Sequence, residues 1–266
     1  MYNFSYFRPT TARQAANLLV KHPDAKLLAG GHSLIPVMKQ RLAQPSALID
    51  INGCDDLVGV ELKGRSIVIG ALTRHADVAN SQVVKDALPG LAMVPGSIGD
   101  PQVRNRGTIG GSIANNDPNA DYPAACLGLG ATIVTNKRRI AADDFFTGMF
   151  STALEDNEII TRVMFPIAKK AAYEKFKHPA SGFALVGVFV SKRGSDIRVA
   201  VTGAGANGVF RVKSFEEALK KRFSPKSIEG MTIPATGMNS DIHASAEYRA
   251  HLVGVLARRA LARATA

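Results

Sequence analysis

A chain of 266 residues with 46% hydrophobic and 21% charged residues can bury the cores of two or three subdomains, and no apolar run approaches the length of a bilayer span. Two cysteines are too few for a 2Fe–2S cluster or a thiolate zinc site, and the six histidines lack metal-type spacing, so an electron carrier held here is an organic cofactor. The net charge of +11 is dispersed, without tryptophan or arginine–aromatic blocks, which disfavours nucleic acid and suits an anionic dinucleotide or an acidic partner.

Met1 to Pro9 lacks the charged-then-apolar order of a secretion signal. A cytoplasmic location is expected, with contact to the inner face of the membrane made only through a partner. Thr10 or Thr11 caps a helix running to about Lys21, with Ala15, Ala16, Leu18 and Leu19 on its buried side. Ala25 to Ala29 reads as a buried strand entering Gly30-Gly31, and Ser33 stands to N-cap a helix from Leu34 to Leu42. With the strand Ala47 to Ile51 this makes a first subdomain, residues 1–54.

Short elements follow. Val58 to Leu62 and Ser66 to Ile69 form a hairpin, and Thr73 caps a helix through Val78. Leu91 to Asp100 leads through Arg104 to Gly107 into a second glycine pair, Gly110-Gly111, and then a polar loop from Asn115 to Asp121. Ala131 to Thr135 and Ile140 to Ala142 form another hairpin, and the strand Ile159 to Phe165 stops at Pro166, completing a subdomain over 55–168.

Residues 169–266 read as an α+β module. Its strands are Tyr173 to Lys177, Leu185 to Lys192, Ile197 to Thr202 and Val209 to Val212. Its helices are Phe215 to Lys221 and Ala246 to Arg263, the latter with Tyr248, Leu252, Val255 and Leu256 on one face and Arg249 elsewhere. Gly203 to Gly208 matches G-x-G-x-x-G after a strand, but Val209 to Val212 continues as strand, so it is a hairpin loop and not a Rossmann turn.

The two glycine pairs carry the chemistry. Leu28-Ala29-Gly30-Gly31-His32-Ser33-Leu34 and Thr108-Ile109-Gly110-Gly111-Ser112-Ile113-Ala114-Asn115 each place glycines where an extended apolar segment gives way to a turn. Without Cβ atoms, successive N–H groups can converge on an anion, and Ser33 and Thr108 add hydroxyls. Either stretch alone is compatible with a plain tight turn; together they form two halves of one diphosphate cradle. Cys54 and Cys126 read as small buried hydrophobes, and no nucleophile–base–acid set stands out.

AGGHSL at Ala29 to Leu34 and TIGGSIAN at Thr108 to Asn115 resemble the FAD-binding medium subunits of the molybdenum hydroxylases, most of all the carbon monoxide dehydrogenase group. Leu34 to Lys39, Asp100 to Arg104, Asp117 to Pro123 and Tyr173 to Lys177 also fall in family order. The resemblance implies an α+β protein: a two-part FAD-binding domain of the vanillyl-alcohol-oxidase (PCMH) type, then a C-terminal domain like that of the carbon monoxide dehydrogenase flavoprotein. It implies that Ala29, Gly30, Gly31, His32 and Ser33 with Thr108, Ile109, Gly110, Gly111 and Ser112 hold the pyrophosphate of FAD. Leu34 and Asn115 belong to the same motifs. By the same resemblance Asp121 binds the adenosine half, Leu28 and Ile98 flank the cofactor, and Ile160 and Lys177 lie near the flavin ring.

The partners implied are a large subunit carrying the molybdenum cofactor and a small subunit with two 2Fe–2S clusters, as a dimer of heterotrimers. Electrons pass through the FAD of this chain to an external acceptor. Phe183, and Lys177-His178-Pro179 before it, depart from the carbon monoxide dehydrogenase pattern, where a tyrosine lies close to the isoalloxazine. Three alternatives remain: an aldehyde-, N-heterocycle- or xanthine-oxidising assembly, an autonomous oxidase with His32 as covalent flavin anchor, and a flavin-free assembly subunit.

Overall fold

The computed structural model describes all 266 residues and arranges them around three main sheets. The first is parallel: Ser5–Phe7 pairs with Ala47–Asp50, which pairs with Lys26–Leu28. Helix Ala12–Lys21 crosses over this sheet and buries Ala12, Ala15 and Leu19 against it. Thr11 caps it, its hydroxyl oxygen accepting from the Gln14 amide. The helix after the first glycine pair is shorter than its sequence suggests, Leu34–Lys39, because the chain turns into positive φ at Arg41. The strand before it, Lys26–Leu28, is only half-buried.

The second sheet is antiparallel, in the order Val60–Lys63, Ser66–Gly70, Ile160–Pro166, Thr132–Thr135, Arg139–Ala141. The short helices His75–Asn80, Gln82–Ala87, Pro89–Gly96 and Ile109–Asn115 and the helix Tyr122–Leu129 share its core. All eight residues of Tyr122–Leu129 are buried, which explains why they carry no helical periodicity: there is no wet side to mark with polar residues. Thr73 caps no helix. It exchanges bonds with both backbone groups of Gly59, and Arg74 takes the cap position of helix His75–Asn80.

The third sheet orders Lys170–Lys177, Ala184–Arg193, Asp196–Thr202 and Phe210–Arg211, all antiparallel. Both faces are covered. Val186, Val188, Val190, Val199 and Val201 meet the helices Lys213–Lys221 and Ala246–Thr265, while Phe189 and Ala200 point the other way into the second core. There Phe189 stands directly on Gly128, where a Cβ would approach its ring to 2.6 Å. The sheet is therefore shared between two cores, and the C-terminal unit is welded to the second one.

On the last helix Arg249 is the buried residue and Tyr248 the exposed one. The Arg249 guanidinium donates to the carbonyls of Leu185 and Gly203 and to Asp241, at 2.7, 2.8 and 2.7 Å. Two backbone carbonyls and a carboxylate thus supply acceptors for a guanidinium taken out of water. Gly203 to Gly208 joins two antiparallel strands and opens no helix. No helix is long and apolar enough to cross a membrane.

Candidate cofactor site

The first glycine stretch leaves the sheet at Leu28 and enters helix Leu34–Lys39 through Gly31, whose φ of +76° only glycine adopts without strain. The backbone amides of Gly30, Gly31, His32, Ser33 and Leu34 donate to no backbone carbonyl. Five successive unpaired donors at a helix entry are the raw material of an anion-binding concavity. Ser33 occupies the cap position in αR conformation but its hydroxyl makes no capping bond, and the side chain is exposed and free to meet a ligand. Leu28 and Leu34 are half-buried at either end.

The second stretch is built differently. Thr108 is the N-cap of helix Ile109–Asn115, so Gly110 and Gly111 lie in the first helical turn and form no nest. Their amides are spent within the chain: Ile109 donates to Thr73 O at 3.1 Å, Gly110 to Ala71 O at 2.8 Å and Gly111 to Thr108 Oγ1 at 3.2 Å. Ser112 follows with a bond to Thr108 O at 3.0 Å. Gly110 is needed for contact, since a Cβ there would stand 2.7 Å from Ala71. Gly111 is exposed, and the side chains of Ser112 and Asn115 are half-buried on the same short helix.

The fold brings the two arms together. A Cβ on Gly30 would lie 2.3 Å from the carbonyl oxygen of Arg106 and 2.8 Å from Gly107 Cα, so only glycine lets the first arm touch the chain entering the second. A Cβ on Gly111 would come within 3.9 Å of Ala29 Cβ. The Asn52 amide donates to Ala29 O at 2.9 Å, and His32 Nε2 lies 3.3 Å from Gln102 O, tying the first arm to helix Pro101–Arg106.

Beneath the second arm sits His75. Its backbone amide donates to Gly107 O at 3.0 Å, its ring presses on Gly107, and its Nδ1 is buried without a partner beside the Tyr122 ring. Burial, with the nearby charge of His32 as a smaller cause, lowers its pKa to about 4. It is a neutral wedge under the arm at working pH.

The remaining expected residues are placed unevenly. Ile98 is half-buried, and its carbonyl accepts from Arg104 at 2.8 Å. Ile160 is in the second core, its side chain buried, so its backbone alone is left to meet a ligand. Asp121 is no open carboxylate: it accepts from Tyr173 Oη at 2.6 Å and faces Lys175 Nζ at 2.9 Å, both side chains of the ion pair being almost fully buried. Burial pushes the Asp121 carboxyl up and the Lys175 ammonium down, and their contact opposes both shifts. A Cβ on Gly187 would fall onto the Tyr173 hydroxyl, so the glycine in the middle strand makes room for this network.

Lys177 is exposed at the end of its strand, while Lys175 is the lysine beside the site that sequence reasoning missed. The two lysines are two residues apart on one strand, and only the inner one reaches Asp121; the charge of Lys177 acts on that pair from further off. Lys175 also donates to Ser97 O at 3.1 Å, bridging the C-terminal sheet to the segment that carries Ile98.

Residues 2–168 match the family described as FAD binding domain in molybdopterin dehydrogenase, and residues 171–264 match the CO dehydrogenase flavoprotein C-terminal domain. The chain is 38% identical to the carbon monoxide dehydrogenase medium chain of Hydrogenophaga pseudoflava, covering 97% of this chain and 96% of that one. It is also 38% identical to the nicotine 6-hydroxylase medium subunit of Paenarthrobacter nicotinovorans, over 98% and 97% of the two chains. The solved carbon monoxide dehydrogenase of H. pseudoflava lacking the Mo-pyranopterin moiety superposes with a TM-score of 0.87, covering 99% and 98% of the chains at 38% identity.

Proposed function

This chain belongs to the FAD-binding family of molybdopterin dehydrogenases and is an FAD-containing oxidoreductase component, and from that premise we propose that it relays electrons between an iron–sulfur partner and an external acceptor. The relatives are named medium chains and medium subunits, which supports an assembly with a molybdenum-cofactor large subunit and a 2Fe–2S small subunit, paired as a dimer of heterotrimers. The carbon monoxide dehydrogenase type is favoured by the match over 171–264. Equal identity to a nicotine 6-hydroxylase medium subunit supports a substrate chosen by the large subunit and not by this chain.

The observation that carries the proposal is the run of unpaired amides from Gly30 to Leu34, closed from the other side by the Arg106–Gly111 backbone at contact distance. Gly30 to Leu34 hold the pyrophosphate by backbone N–H groups, with Ser33 donating its hydroxyl. Thr108 to Asn115 close the opposite side through Ser112, Asn115 and the bare backbone at Gly111. Asp121 acts here as the anchor of Lys175 and Tyr173, fixing the C-terminal sheet beside the adenosine half. Leu28 and Ile98 exclude water from the cofactor, the Ile160 backbone lies near the ring, and Lys177 places a positive charge beside it.

FAD, when bound, supplies the exchange between single-electron and two-electron chemistry; the protein supplies binding, orientation and charge. Co-expression with its partner chains should give a complex with one FAD per copy of this chain, reducible by the partner's substrate. A chain that stays flavin-free after reconstitution with FAD overturns the proposal.

A further inference from the structure

The segment Lys177-His178-Pro179 to Phe183, which departs from the carbon monoxide dehydrogenase pattern, folds into a self-bonded loop with His178 at its hub. His178 donates its backbone N–H to Phe183 O at 2.8 Å and accepts at its own carbonyl from Gly182 at 2.9 Å. Its ring Nδ1 accepts from the amides of Ala180 and Ser181, each at 3.2 Å, with the Ser181 hydroxyl also 3.2 Å away. On its other side, Nε2 lies 3.2 Å from His243 Nδ1.

These partners assign the protons. An Nδ1 that accepts from two amides carries a lone pair, so the proton of neutral His178 sits on Nε2 and points at His243. His243 Nδ1 is therefore the acceptor, and its proton is on the outward Nε2. His243 is itself firmly mounted: its amide donates to Asp241 Oδ1 at 2.9 Å, and Asp241 Oδ2 accepts from the buried Arg249 at 2.7 Å. The loop thus hangs from the rigid C-terminal core by a single N–H···N bond between two imidazoles. The arrangement does not suit a metal ion, because a metal on His178 Nε2 would drive the proton to Nδ1, against two amide donors.

We propose that His178 and His243 form a one-proton clasp that holds the Pro179–Phe183 loop shut while both rings are neutral and releases it when either takes up a proton. An added proton has two possible seats, His178 Nδ1 and His243 Nδ1, and each turns an attraction into two opposed N–H groups. The charged groups around the pair are Lys177 beside His178, Asp100 next to the Gly99 segment against which Gly182 packs, and the Asp241–Arg249 pair behind His243. Asp241 is satisfied by Arg249 and by the His243 and Ala244 amides. Gly182 sits with its Cβ position 3.4 Å from Gly99 Cα, so the loop closes on the segment carrying Ile98, and its Phe183 is exposed. That the clasp gates the flavin cleft rests on the proposed function; the clasp itself rests on the hydrogen bonds alone.

Hydrogen exchange read by mass spectrometry on the FAD-loaded full chain tests it. Between about pH 7.5 and about pH 5.5, across which histidine titrates, protection of the Ala180–Phe183 amides, corrected for intrinsic rates, should fall at least about tenfold relative to the strand Ala184–Arg193, the change in protonation over one pH unit. His178→Asn keeps an acceptor for the two amides and has no proton to gain, so it should lose the pH step; His243→Phe keeps an aromatic ring without a lone pair, so its loop should already be less protected at about pH 7.5 and show a smaller step. A wild type without the step, a step that survives in His178→Asn, or a His243→Phe loop as protected as the wild type at about pH 7.5 overturns the clasp. Iodide quenching of the bound flavin, followed on the same samples, should rise as the loop opens. Unchanged quenching beside a clear exchange step overturns the gating and leaves the clasp, while failure to load FAD at neutral pH counts against the proposed function.

Discussion

In the first glycine arm the amides from Gly30 to Leu34 are left without a backbone acceptor, whereas in the second the amides from Ile109 to Ser112 are all consumed inside the chain. Both arms carry a glycine pair and a hydroxyl residue, but the pairs do different things. In the first, Gly31 supplies a positive φ and Gly30 a close approach to Arg106, so the backbone is freed to point its donors outward. In the second, Gly110 lets a helix lie on Ala71, and Thr108 closes its first turn. One arm is a set of donors; the other is a rigid wall that faces it. A glycine pair in a sequence therefore announces close backbone approach, and which partner approaches has to be read from the packing.

The strongest way to break this comparison is Gly30→Val. A side chain at a site where even Cβ would stand 2.3 Å from the Arg106 carbonyl oxygen forces the arms apart. FAD affinity, followed by flavin fluorescence titration, should fall at least ~100-fold, about 2.7 kcal/mol. Near-normal affinity would mean that the arms do not act on one ligand.

Acid should distinguish the wall from the donors. The pKa of His75 under the second arm is lowered from 6.5 to about 4, so the fold holds the neutral form. Its contribution is complete above about pH 6.5 and is lost as pH falls toward 4, amounting to roughly 3 kcal/mol over that interval. Urea midpoints of the wild type should therefore drop between these pH values more than those of His75→Phe. Parallel curves for the two proteins would remove His75 from the account.

A smaller contrast separates the two glycine roles. Gly31→Ala places a Cβ at φ +76° and should cost about 1–2 kcal/mol in chemical denaturation. At Gly111, a helical position, alanine gains up to about 1 kcal/mol of helix propensity. Its Cβ would lie 3.0 Å from Thr108 Oγ1, which offsets that gain, so stability should stay near the wild type. Equal losses at both positions would erase the asymmetry.

The hydroxyls give the finest test. Thr108→Ala removes a helix cap and should cost about 1 kcal/mol of stability, while Ser33→Ala removes no bond within the chain and should leave stability alone. Ser33→Ala should instead weaken FAD binding by roughly 1 kcal/mol, the net worth of one hydrogen bond. The reverse pattern would exchange the two roles.

Much of the fold was legible because short apolar, β-branched runs bounded by turns mark strands and amphipathic helices repeat: Ala12–Lys21, Ser66–Gly70 and Ala184–Arg193 all lie where their patterns put them. Ser5–Phe7 was not, since a three-residue strand of mostly exposed side chains carries no pattern, and its parallel partner lies beyond two helices and another strand. Tyr122–Leu129 was not either, because an element buried on every side loses its period. Within the site, the glycine stretches were visible one by one. The choice of Lys175 over Lys177 as the buried cation was not, because two lysines at i and i+2 share a strand face and only the packing decides which one lies over the core.

By itself the sequence determined the chemistry available: glycines where backbones must meet, hydroxyls beside them, and an order of motifs that belongs to FAD-binding chains. The tertiary structure alone decided which amides remain free for a ligand. The carbonyls of Ala71 and Thr73 that take up the second arm's donors come from a distant stretch of chain, and hydrogen-bond partners are assigned by proximity in space.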